Sequence, residues 1–150
     1  PPVAPLTATT ATATTTAVTN ATATAAQLAA VPGGARYGAI YLAPAPATGL
    51  GLSAGQADRE AAHRIAGQRC IGGQSTLCRL ALEFHDRCGA VAHGLTPRGL
   101  FLTDSPSTFS VMAAAAGAGA TQDLAERDAM AHCRQIFRGT CRVARSLCDG

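Results

Sequence analysis

Six cysteines carry the strongest chemical signal in this chain of 150 residues. Cys70 and Cys78 stand eight apart, as do Cys133 and Cys141, while Cys88 and Cys148 lie outside that pattern. An even, regular set of thiols can form disulfides, hold a metal or stay reduced in a core. Structural zinc usually takes Cys or His ligands roughly two to four residues apart. An eight-residue gap does not build that site. His132 beside Cys133 and His85 near Cys88 add donors without completing a ligand set, so no metal ligands are expected. Disulfides fit best, and in a small domain they imply export.

The remaining reactive side chains form no recognisable machinery. His63 and His132 fall among polar neighbours on helices and read as solvated. His85 is followed by Asp86, but adjacent residues of an extended chain point to opposite faces. His93 precedes Gly94 and reads as a strand-end turn. A hydrolase would have to use His85 or His93 as general base, with Asp86, Glu83 or Asp104 as its acid. No G-x-S-x-G elbow accompanies them, and Ser53 and Ser75 have no base at motif spacing. Gly72-Gly73 lacks the Gly-Lys of a phosphate loop, and so does Gly117-Ala118-Gly119-Ala120, which reads as a flexible approach to a helix. No catalytic residue and no cofactor is expected.

The elements that must position these residues come in two copies. The Cys pairs are offset by 63 residues, and at that offset Ala62 falls on Ala125, Arg64 on Arg127, Ala66 on Ala129 and Arg79 on Arg142. Tyr37-Gly38-Ala39-Ile40 returns as Cys88-Gly89-Ala90-Val91 at offset 51, so the second copy carries about 12 extra residues, placed near Thr103 to Ser107. Alternation and turn residues predict strands over 37–43, 50–53 and 77–84, then 89–92, part of 110–116 and onward from 141. Phe101 is expected to begin a further short strand. Helices are predicted over 56–70 and 122–137, with Asp58, Glu60, Asp123 and Glu126 near their positive ends. The expected fold is α+β: two β-β-α-β pseudo-repeats sharing one mainly antiparallel sheet, with both helices on one face and small alanine faces that bring helix and sheet close together.

Composition narrows the class. All 12 basic residues are Arg, and the net charge of +3 is ordinary for a small domain. The basic residues form no stripe and few aromatics accompany them, which argues against nucleic acid. No apolar run is long enough for a membrane-spanning helix. Residues 1–35 hold no ionisable side chain and run through a Thr/Ala repeat behind Pro1, Pro2 and Pro5. Such a segment cannot offset the backbone entropy of ordering it. It is expected to be a disordered tail ahead of a six-cysteine domain over 36–150. Asn20-Ala21-Thr22 within it matches a glycosylation acceptor. No charged segment followed by an apolar run opens the chain, so the expectation is that either an export signal has been removed or the chain begins downstream of one.

The duplication also predicts a disulfide map. Each copy has one Cys at a helix end and one where the next strand starts, which pairs Cys70 with Cys78 and Cys133 with Cys141. Cys88 and Cys148 remain, at the start and the end of strands that would have to be neighbours.

These residues resemble the domain-of-unknown-function 4189 family of small exported bacterial proteins. The resemblance spans about residues 36–149 and rests on Tyr37-Gly38-Ala39-Ile40, the helix ending at Cys70, Cys78 at a strand start, Cys88-Gly89-Ala90-Val91, the helix ending at Cys133, and Cys141 with Cys148. It implies export and a disulfide-stabilised α+β domain, and it carries no activity or catalytic residues. The expected function is a secreted or periplasmic, non-enzymatic interaction module, monomeric, for an unidentified protein or envelope ligand or a host component. The alternative is the small secreted hydrolase described above.

Overall fold

The computed structural model describes residues 36–72 and 77–149. The expected tail over 1–35 lies outside them, as do Gly73 and Ser75. Strand β1 (Tyr37–Leu42) pairs antiparallel with β2 (Leu50–Gln56) on one side and β3 (Arg79–Phe84) on the other. Helix α1 (Arg59–Gly72) leads from β2 towards β3. The second half repeats this order. Strand β4 (Cys88–Pro97) lies between β5 (Phe109–Gly119) and β6 (Thr140–Cys148), with helix α2 (Gln122–Ile136) between β5 and β6.

Both helices start on short polar caps. The Asp58 carboxylate accepts the backbone N–H groups of Glu60 and Ala61 at 3.3 and 3.2 Å, which satisfies donors that a helix start leaves unpaired. Thr121 does the same for Leu124 N–H at 3.2 Å. Gln56, expected within the first helix, instead ends β2, because Asp58 sets the helix start two residues on.

The expected single sheet is corrected to two three-stranded sheets, β2-β1-β3 and β5-β4-β6. The central strands β1 and β4 are buried on both faces, and this decides the layering. Ala39 packs beneath Ala62 and Ala66 of α1. Its neighbour Ile40 points the other way, into a cluster with Leu50, Leu52, Ala54 and Phe84 of the first sheet and Val91, Ala116 and Leu147 of the second. Cys88, Ala90, Ala92 and Ala115 meet Ala125, Ala129 and Cys133 of α2. The order of layers is therefore helix, sheet, sheet, helix. One sheet with both helices on the same side would leave the Ile40–Leu52–Val91 face in water.

Each helix sits on its sheet at the distance that Ala and Gly permit. A Cβ added at Gly51 would strike the Ala66 carbonyl oxygen, and one at Gly117 would strike the Ala129 backbone. The Gly117–Gly119 segment, expected as a flexible approach to a helix, is the end of β5 lying under α2.

Phe101 does not begin a strand. Residues 98–108 form a loop closed by its own hydroxyls: Thr108 Oγ1 accepts Thr103 N–H at 3.1 Å and donates to the Ser105 carbonyl at 2.7 Å. Such local bonds compete with strand pairing. A short 3-10 helix, Pro106–Thr108, returns the chain to β5.

Three disulfides staple the layers: Cys70–Cys78 from α1 to the approach of β3, Cys133–Cys141 from α2 to β6, and Cys88–Cys148 between β4 and β6. Domains stapled in this way persist in oxidising compartments. Among the described residues no helix is long and apolar enough to cross a membrane.

Candidate functional site

Strand β4 outruns the cover of the first sheet. Val91 is buried in the cluster between the sheets. On the same face, two and four residues on, His93 and Leu95 line a cleft with Asp104, Phe109, Arg142, Val143 and Ala144. The cleft encloses about 290 Å³. The β4–β5 loop supplies Asp104, β5 supplies Phe109, and β6 supplies Arg142, which stands directly opposite His93 in the β4–β6 ladder.

The cleft brings together the expected pair, His93 and Asp104, but does not join them. Asp104 Oδ1 accepts from Arg142 Nη1 at 3.2 Å, and the same nitrogen donates to the Thr103 carbonyl at 2.8 Å. The His93 side chain is nearly enclosed, at 9% exposure, and its ring has no hydrogen-bond partner among the described residues. Burial pushes its pKa below the ordinary imidazole value, because the charged form loses hydration. At neutral pH the cleft thus presents a neutral imidazole, an Arg–Asp ion pair and a hydrocarbon wall.

A second constellation, outside the cleft, was not legible from spacing. His63 of α1 and Glu83 of β3 meet with Nε2 and Oε1 2.5 Å apart, and Tyr41 Oη lies 3.0 Å from His63 Nδ1. Arg59 Nε donates to the same Glu83 oxygen at 2.7 Å. His63 is therefore not a solvated helix residue; its side chain and that of Glu83 are each 22% exposed. Bonds from Arg59, and then from His63, hold the Glu83 carboxyl below its ordinary range. The only local signal was Glu83 facing the helix from β3, which requires knowing that β3 lies beside β1. The arrangement fastens α1 to the first sheet and leaves both ring nitrogens of His63 engaged.

The other candidates are placed apart. His85 is exposed; its Nδ1 lies 3.2 Å from the Arg36 carbonyl, and its ring meets Tyr37 edge-on. It forms no hydrogen bond with Asp86 or Glu83 among the described residues. His132 Nδ1 lies 2.7 Å from the Ala116 carbonyl. Ser53 is fully buried, donating to the Ala62 carbonyl at 2.7 Å and accepting Ala39 N–H at 3.2 Å, so its hydroxyl bolts α1 to the sheet. Among the described residues no three His, Cys, Asp or Glu side chains converge on a possible metal site. The sequence did not single out Leu95, Phe109 or Val143, and it marked Arg142 only as a repeat position.

No curated protein and no solved structure matches the chain. The family model described as "Domain of unknown function (DUF4189)" matches residues 37–148, from the first strand to the last cysteine. With that match covering the whole stapled domain, the chain belongs to the DUF4189 family.

Proposed function

We propose that this chain is a secreted bacterial binding module that presents the His93 cleft to a partner at the cell envelope or in a host. The observation that carries this reading is the lining of the cleft. A buried imidazole without a hydrogen-bond partner among the described residues sits beside the Arg142–Asp104 pair, and Leu95 and Phe109 supply hydrocarbon walls. Such a mixture of apolar wall and few polar groups is typical of a recognition site. None of the described lining residues carries a hydroxyl or thiol that His93 could activate. The test is capture from envelope and host extracts by the full chain and by Phe109→Arg, which places a bulky charge in the cleft from a half-buried position. A partner held by the native chain and lost in Phe109→Arg supports the reading. Equal capture by both overturns it.

A hydrolase remains the second reading, favoured by one observation: an imidazole and a carboxylate in contact, His63 and Glu83. The group on the far side of that imidazole is the Tyr41 phenol. A screen against esters, peptides and glycosides decides between the readings. Turnover by the native chain that is lost in His63→Gln establishes the hydrolase.

A further inference from the structure

The Arg142 guanidinium offers five N–H donors in a planar fork. Its Nη1 is spent on Thr103 and Asp104. The edge formed by Nε and Nη2 has no acceptor among the described residues. That edge is spaced for the two oxygens of a carboxylate. Directly across the ladder stands His93, buried and without a hydrogen bond among the described residues, in the wall of the same cleft. A buried polar group left unpaired is costly, so a partner that satisfies it gains affinity.

We propose that the cleft binds a small organic monocarboxylate with an apolar body. The carboxylate lies on the Nε–Nη2 edge of Arg142 and accepts one N–H from His93. The hydrocarbon rests on Leu95 and Phe109. This deepens the binding-module reading and rests on it.

Charge and size select the ligand class. Arg142 is the only cation among the described lining residues, and Asp104 already offsets it. A phosphate dianion would meet too little positive charge. A neutral apolar ligand would leave both polar groups unsatisfied. A space of about 290 Å³ holds a body the size of a phenyl ring with a short chain. The same group, a carboxylate beside a hydrophobic side chain, is also found at the C-terminus of a peptide, so the shared chemistry has two sources.

The experiment uses the full chain, titrated with 3-phenylpropionate, its neutral amide and N-acetyl-glycyl-phenylalanine. Calorimetry gives affinity, and histidine side-chain NMR reports on His93. The acid is expected to bind saturably and to move the His93 resonances, and the amide to bind about tenfold more weakly, the scale of a charge-assisted bidentate pair. Arg142→Gln should lose a similar factor. Asp104→Asn should bind the acid severalfold more tightly, because the negative charge that offsets Arg142 is removed while the guanidinium stays. This second variant keeps the test informative if Arg142→Gln does not fold. Tighter binding of the peptide assigns the carboxylate to a chain terminus, and tighter binding of the free acid assigns it to a small metabolite. Equal affinity for acid and amide, or saturation without movement of His93, overturns the proposal. Absence of binding by all three probes, while Phe109→Arg still abolishes partner capture, overturns the carboxylate inference alone and leaves the binding-module reading in place.

Discussion

Cys88 and Cys148 face each other across the β4–β6 ladder, with their Cα atoms 4.0 Å apart. Their bridge joins the first residue of the central strand of the second sheet to the last residue of β6, across 60 positions of sequence. The other two bridges each span 8 positions.

Loop length therefore ranks the bridges. In the chain-entropy account, closing the long loop contributes about 4 kcal/mol and each short one about 2.5 kcal/mol. Urea unfolding of the Cys88→Ser/Cys148→Ser pair should show the larger loss, and that of Cys70→Ser/Cys78→Ser the smaller. The reverse order would show that native-state contacts around Cys70, rather than loop closure, dominate.

Overpacking should be felt where the helices touch the sheets. Ala129 and Gly117 are in backbone contact range, and Ala129 is fully buried. Ala129→Leu or Gly117→Val is expected to cost about 1–3 kcal/mol. Leu124→Ala on the same helix, at a side chain 48% exposed, should change stability by less than about 0.5 kcal/mol. Equal effects in denaturant titrations would contradict this account of the interface.

Acid should weaken the fold in two stages. His93 has its pKa lowered by burial, so the unfolded chain takes up a proton first as pH falls. The stability linked to neutral His93 is complete above about pH 6.5 and is lost as pH falls through the lower folded value. Glu83 is also held low, by Arg59 and His63, so its contribution is present above its ordinary pKa and is lost below that. Thermal melts from pH 8 to pH 3 should fall in both ranges. His93→Gln should flatten the upper fall, and Glu83→Gln the lower. An unchanged upper slope in His93→Gln would refute the first assignment.

The stapled domain should fold without what precedes it. Residues 36–150 form one compact unit that holds all six cysteines. Limited proteolysis is expected to leave a stable fragment beginning near Arg36, with the thermal midpoint of the full chain. Loss of the cooperative transition in a chain beginning at Arg36 would refute this.

Local pattern made much of the fold readable. The alternation of Tyr37, Ala39 and Tyr41 with Gly38, Ile40 and Leu42 marks a strand, and the spacing of Ala62, Ala66 and Cys70 marks one face of a helix. Residue type and near-neighbour spacing carry these signals, so they survive without any knowledge of what lies across the fold. The α+β class, its stapling and the family were accessible by the same route. The choice between one sheet and two was not, because the central strands β1 and β4 are apolar on both faces and do not report what covers each face. Burial of Ile40 against Val91 decides it. The sites divide in the same way. His93 and Asp104 could be named as candidates, but their separation by Arg142 depends on β6 lying beside β4. The contact of His63 with Glu83 likewise exists only because α1 crosses the sheet in which β3 pairs with β1. By itself the sequence determined which segments extend, which coil and which thiols recur at equal spacing, since these depend on interactions a few residues long. Only the tertiary structure decided which polar groups meet, because side chains 20 or more positions apart come within bonding distance through the packing of layers, which no short stretch of sequence encodes.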